Sequence, residues 1–174
     1  YPASGNDLKL FIEDGEKEIQ APAPEPGGAV TGIVAPHIDI QVAKKTYVHA
    51  YRHARERHYK TVVILGINHQ MQDGLYCVSD KDYETPLGPM RTDKPFVRDL
   101  RRMLPDGTLA SNDFGHKIEH SIEFQTVFLK HYLPGDCTIV PILCGSFHEI
   151  IFSGRDLLTE ERFTAMIEAL RKLL

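Results

Sequence analysis

The sequence predicts an α/β fold, with a mostly parallel or mixed central sheet flanked by helices. Two stretches predict it first: Val34-Ala35-Pro36-His37-Ile38-Asp39 and Leu65-Gly66-Ile67-Asn68-His69-Gln70. Each reads as an apolar strand that stops at Pro or Gly and presents a histidine just beyond its end. A helix-like segment at about 40–58 lies between them, so the order reads as a βαβ unit with parallel strands and a right-handed crossover. A third apolar run, Thr138–Leu143, ends in Cys144-Gly145. Parallel strands bring their C-terminal ends to one sheet edge, where open α/β proteins bind ligands. His37 and His69 are therefore expected on one rim, as a metal or acid–base site.

The 174 residues suit one domain that can bury a core, with 1–28 as an N-terminal arm and 29–174 as the α/β domain. A hydrophobic share of 42% and a charged share of 25% place the chain among water-soluble globular proteins. A net charge of −4 without a basic stripe argues against a nucleic-acid partner. The run Arg52–Lys60 reads instead as the wet face of the first helix. Cys77, Cys137 and Cys144 make neither a disulfide framework nor a C-x-x-C zinc spacing. No leader-like stretch and no run of membrane-spanning length is read, so a reducing cytoplasm is the expected setting.

In order, Leu8–Ile12 reads as a short edge strand or part of a loosely packed arm. Ala21–Gly28 reads as a loop from its Pro and Gly content. Ala29–Ala35 is the expected first core strand, ended by Pro36. Val42, Thr46, His49, Ala50 and His53 then recur at helical spacing. His49 and His53, one turn apart, read either as a metal pair or as partly buried or surface residues. Thr61–Leu65 is continuous and β-branched, as in a buried parallel strand. Gly66 permits close backbone approach, and Asn68 can orient a neighbour.

Leu75–Ser79 is a further short strand. The Tyr83–Pro89 loop carries Glu84, either a rim carboxylate or a solvated one. Thr92-Asp93-Lys94-Pro95 starts a helix that runs to about Leu104. From Phe114 to Tyr132 a helix is expected, with His116, His120, Glu123 and Val127 on one face. There His120 is a candidate proton carrier, oriented by Glu123 or Glu119. The alternative is a helix whose polar groups bond along its solvent edge. Thr138–Leu143 is a buried strand that brings Cys144 or His148 to the rim, although a cysteine there is commonly a small apolar residue. Leu158–Leu174 is an amphipathic terminal helix.

Five motifs in order resemble the Memo-like family, also called AmmeMemoRadiSam system protein B. They are Pro-His-Ile-Asp at 36–39, Leu-Gly-Ile-Asn-His at 65–69, Glu-Thr-Pro-Leu-Gly at 84–88, Glu-His-Ser-Ile-Glu at 119–123 and Val-Pro-Ile-Leu-Cys-Gly at 140–145. The resemblance implies a fold and a metal-site geometry similar to class III extradiol dioxygenases. It implies that His37 and His69 are metal ligands, that His120 is the pocket histidine, and that Glu84 lies in the pocket loop.

Two departures stand out. The family pattern continues with a strand and a Ser-Asp-x-x-His-like motif that supplies a third metal position, and no residue up to Leu174 matches it. The expectation is a C-terminally short domain with an exposed sheet edge or apolar face, which a homo-oligomer could cover. Lys117 also stands where the family often has an acidic residue, with His116 beside it.

Three functions follow from this resemblance. One is a dioxygenase-like enzyme using a divalent metal, Fe2+ favoured and Zn2+ the alternative, on an aromatic substrate. The second is a non-redox metal-dependent hydrolase. The third is a non-catalytic scaffold that binds a small molecule or peptide.

Overall fold

The computed structural model describes residues 1–20, 30–55, 58–71, 73–133 and 135–174. The expected Ala21–Gly28 loop lies outside the described residues. The fold is mixed α/β. The elements are α1 Gly5–Lys17, α2 Lys44–Tyr51, β1 Thr61–Ile67, β2 Tyr76–Val78, α3 Lys94–Met103, α4 Gly115–Ile118, α5 Glu123–Tyr132, β3 Thr138–Cys144, α6 His148–Phe152 and α7 Glu161–Leu173. The open sheet has the order β1-β3-β2. β2 is antiparallel to β3, with Cys77 opposite Leu143. β1 and β3 run in the same direction. Thr138 N donates to Lys60 O where they start, and Asn68 N donates to Cys144 O where they end.

The chain divides into two compact units. The first comprises Tyr1–Val62, Asp82–Arg91 and Glu123–Thr138. Its α1 replaces the expected edge strand or loose arm. Ser4 caps the helix by accepting a hydrogen bond from Asp7 N, and Leu8, Ile12 and Gly15 form one buried stripe. Gly15 lies against α2, where a Cβ would come within 2.9 Å of Val48 Cγ2. α2 is shorter than the expected helix at 40–58 and passes into a 3-10 turn at Arg52–Ala54. Tyr47 and Tyr51 of α2 stack on Phe128 of α5, with ring centroids at 4.8 and 5.6 Å.

The expected first core strand is not formed. Among the described residues of that run, 30–35 have no strand pairing, and Val34 is 98% exposed. Apolar, β-branched composition favours an extended chain, but a strand also needs a ladder partner for its N–H and C=O groups. The proposed βαβ unit is corrected accordingly.

The second unit comprises Val63–Lys81, Thr92–Ile122 and Ile139–Leu174. Its core joins Tyr76 and Val78 of β2, Val97 and Leu100 of α3, and Val140 and Ile142 of β3 to Ile150 of α6 and Met166 of α7. Burying each such aliphatic side chain contributes about 1.5–3 kcal/mol. α3 starts as expected, with Asp93 Oδ1 accepting from Phe96 N at 3.0 Å and Pro95 in the first turn. β3 is fully buried along its centre, as expected. β1 is less so, since Leu65 and Ile67 are exposed.

Cys77, Cys137 and Cys144 are free thiols, and burial pushes each up to about 11. Among the described residues no helix is long and apolar enough to cross a membrane.

Candidate functional site

The site is built where β1 ends. Successive strand residues turn their N–H groups to alternate sides. Asn68 N therefore bonds β3, while the N–H groups of Ile67 and His69 face away from it. Side chains from the segment 119–121 meet those two groups. Ser121 Oγ accepts from Ile67 N at 3.0 Å and donates to Ile67 O at 2.8 Å. Glu119 Oε1 accepts from His69 N at 2.8 Å. Its second oxygen, Oε2, lies 3.0 Å from His69 Nδ1. A segment that is not itself a strand thus completes the edge of β1 with side chains.

This service breaks the helix expected over Phe114–Tyr132. α4 stops at Ile118, and Glu119 is extended at φ −96 and ψ 137. A new helix starts only at Glu123. His116, His120, Glu123 and Val127 therefore do not share one helical face, which corrects that expectation. Gly66 is required at the crossing, because a Cβ there would meet Ile122 Cγ1 at 2.6 Å and Ser121 Oγ at 2.7 Å.

The Glu119 carboxylate is only 5% exposed, against 52% for the His69 side chain. Burial pushes the Glu119 carboxyl up, but hydrogen bonds from the His69 ring and backbone outweigh it. The His69 and His120 charges act in the same direction, and the carboxyl is held below its usual range. A neutral His69 ring that donates from Nδ1 to Glu119 carries its lone pair on Nε2. That is the state of an imidazole ready to ligate a metal.

His69 and His120 belong to the second unit, as does Glu119. His120 is exposed. His37, Glu84 and Glu123 belong to the first unit. His37 is half-buried on the loop before α2, Glu84 is exposed, and Glu123 accepts a hydrogen bond from the Tyr1 hydroxyl.

Other histidines have more structural surroundings. His116 Nε2 donates to Cys77 O at 3.0 Å, and burial pushes its pKa down. His49 and His53 meet edge to face at 5.5 Å. The His148 ring stacks on Phe152 at 4.0 Å. Lys117 lies over the Phe114 ring.

Among the described residues no group of three or more His, Cys, Asp or Glu side chains is assembled to hold a metal ion. His69 is here a single imidazole donor held by a carboxylate, and imidazole is in general a suited ligand for divalent ions of the Fe2+ or Zn2+ type. Sequence reasoning missed that Glu119 serves His69 and that Ser121 serves Ile67. The signal was the Glu-x-Ser spacing, which matches the two-residue repeat of a strand edge.

The sequence profile described as Memo-like protein matches residues 1–152. A MEMO1 family protein of Aquifex aeolicus is 35% identical over 147 residues, covering 82% of this chain and 36% of that protein. One from Archaeoglobus fulgidus is 32% identical over 171 residues, covering 94% of this chain and 59% of that protein. One from Methanosarcina mazei is 36% identical over 120 residues, covering 67% of this chain and 41% of that protein. The chain thus spans less than two thirds of the length of each of these relatives.

Proposed function

Because the chain belongs to the Memo-like protein family, we propose that it carries part of a metal-dependent site with dioxygenase-like chemistry on an aromatic substrate, Fe2+ being favoured over Zn2+. The observation that carries this reading is the double hold of Glu119 on His69. A carboxylate on the far nitrogen of a ligating imidazole fixes its tautomer and raises its basicity. His69 would present Nε2 as a ligand, and the family resemblance gives His37 the same role and Glu84 a place in the pocket loop. Iron(II), when bound, supplies coordination positions open to substrate and O2. His120, adjacent in sequence to Glu119, would take up or release a proton at an imidazole nitrogen.

The test is anaerobic Fe2+ and Zn2+ binding, by elemental analysis and calorimetry, on the chain, His69→Ala and Glu119→Gln. The amide introduced at position 119 can still accept from His69 N. Its NH2 group, however, donates to Nδ1 and moves the ring proton to Nε2. The expected result is about one ion per chain, lost in His69→Ala and bound about 10–100-fold more weakly in Glu119→Gln. Equal affinity in all three proteins would overturn the ligand role. O2 uptake with a catechol supports the dioxygenase-like reading, and Zn2+ binding without O2 chemistry favours a hydrolase. No stoichiometric metal in any of the three would leave a binding scaffold.

A further inference from the structure

We infer that Tyr47 and Gln125 are positioning residues for His37, gripping the backbone carbonyls on either side of it; the inference rests on the ligand role proposed for His37. All of the groups involved lie in the first unit. Gln125 Nε2 donates to Pro36 O at 3.0 Å, and the Tyr47 hydroxyl donates to Ile38 O at 3.0 Å. The two carbonyls that flank His37 are thus each held by a side chain from a helix, one from α5 and one from α2.

Both donors are themselves fixed. Gln125 is buried, and its Oε1 accepts from the Tyr51 hydroxyl at 2.8 Å, which sets the amide so that its NH2 faces Pro36. Tyr47 is fully buried, and its ring stacks on Phe128 with an interplanar angle of 3°. Burial pushes the Tyr47 phenol up to about 12, which keeps its hydroxyl a donor.

The loop is tied down just beyond as well. Asp39 Oδ1 accepts from Gln41 N at 2.8 Å, Asp39 O accepts from Val42 N and Ala43 N, and Ile40 is fully buried. A loop held by buried polar donors on both sides of one half-buried histidine is more than a connection between elements. A side chain that must reach a ligand accurately needs its own backbone locked by packing and supporting hydrogen bonds.

The variants are Tyr47→Phe and Gln125→Glu, with His37→Ala as the reference. Tyr47→Phe removes one hydroxyl and keeps the stack on Phe128. Gln125→Glu keeps an acceptor for Tyr51 and, once ionised, loses the donor to Pro36. A buried carboxyl that stays protonated would donate to Pro36 O again, so this variant is compared across a pH series. On the full chain, side-chain NMR of labelled histidine reads the order of the His37 ring, with the His131 ring as an internal control. Zn2+ calorimetry and thermal melting accompany it.

The expected result is a less ordered His37 ring, an unchanged His131 ring, a melting midpoint a few degrees lower because a buried hydrogen bond is lost, and about tenfold weaker Zn2+ binding. Should one variant fail to fold, the other decides. An unchanged His37 ring in the folded variants overturns the inference, whatever the metal does. A loosened ring in a chain whose Zn2+ binding is absent, or is unaffected by His37→Ala, supports the positioning and overturns the ligand role on which it rests.

Discussion

One hydroxyl, that of Ser121, satisfies both backbone groups of Ile67, accepting from its N–H and donating to its C=O. Both partners lie near the close crossing at Gly66. Ser121→Ala would leave a backbone donor and acceptor without this partner in a partly buried place. The expected cost is about 1–3 kcal/mol, read by denaturant unfolding. Amide exchange at Ile67 should quicken more than at Asn68, whose N–H bonds β3. A variant as stable as the parent would mean that water replaces the hydroxyl without loss.

Gly15 makes a second test. An Ala there gains about 1 kcal/mol of helix propensity. Its Cβ, however, would come within 2.9 Å of Val48 Cγ2, on a buried side chain with little rotamer freedom. Overpacking of this kind costs about 1–3 kcal/mol. Gly15→Ala should therefore lower stability on balance, and adding Val48→Ala should recover part of the clash as a positive coupling in a double-mutant cycle.

Asp113 supplies a pH dependence. Burial pushes its carboxyl up, but hydrogen bonds from Ser79 and Lys81 outweigh this and hold it below the usual 3.8. A depressed folded value means that the contribution is fully present above the unfolded value and is lost as pH falls through the folded one. Stability from this group should therefore be flat above about pH 5 and decline below about pH 4. Asp113→Asn should lower stability at neutral pH and flatten that acid decline in urea titrations between pH 3 and 7.

Val34 and Ile142 are both β-branched and both lie in runs that read as strands. Val34 is almost wholly exposed, whereas Ile142 is fully buried in the second unit's core. Val34→Ser should change stability by no more than about 0.5 kcal/mol. Ile142→Ala should cost about 2–5 kcal/mol. A large loss at Val34 would show that residues 30–35 do form part of a core.

Local signals carried much of the fold. α3 was readable from Asp93 and Pro95, β3 from its unbroken apolar run, and α7 from its helical repeat, because each depends on nearby residues. α1 was misread since Leu8 and Ile12 were weighed without the cap formed by Ser4 and Asp7. The run at 29–35 has strand composition, but pairing is a property of two segments and cannot be read from one. The helix over 114–132 failed for a related reason. Glu119 and Ser121 are compatible with a helix, yet their oxygens are claimed by His69 and Ile67, some fifty residues earlier. The same residues show how far the site was legible: the motifs marked His69 and the Glu-His-Ser segment, whereas the pairing of Glu119 with His69 rather than His120 required the fold.

The seclusion of the three thiols, with Cys77 and Cys137 buried and Cys144 partly so, has a practical outcome. With each pushed up to about 11, the thiolate that reacts with alkylating and oxidising agents is a minor fraction at neutral pH. The folded chain should be nearly silent to iodoacetamide and should stay free of cross-links in air without added reductant. Loss of structure would unmask the thiols, so that labelling counts unfolded molecules. In effect the chain carries its own unfolding reporter, dark in the native state and lit only when the sheet opens.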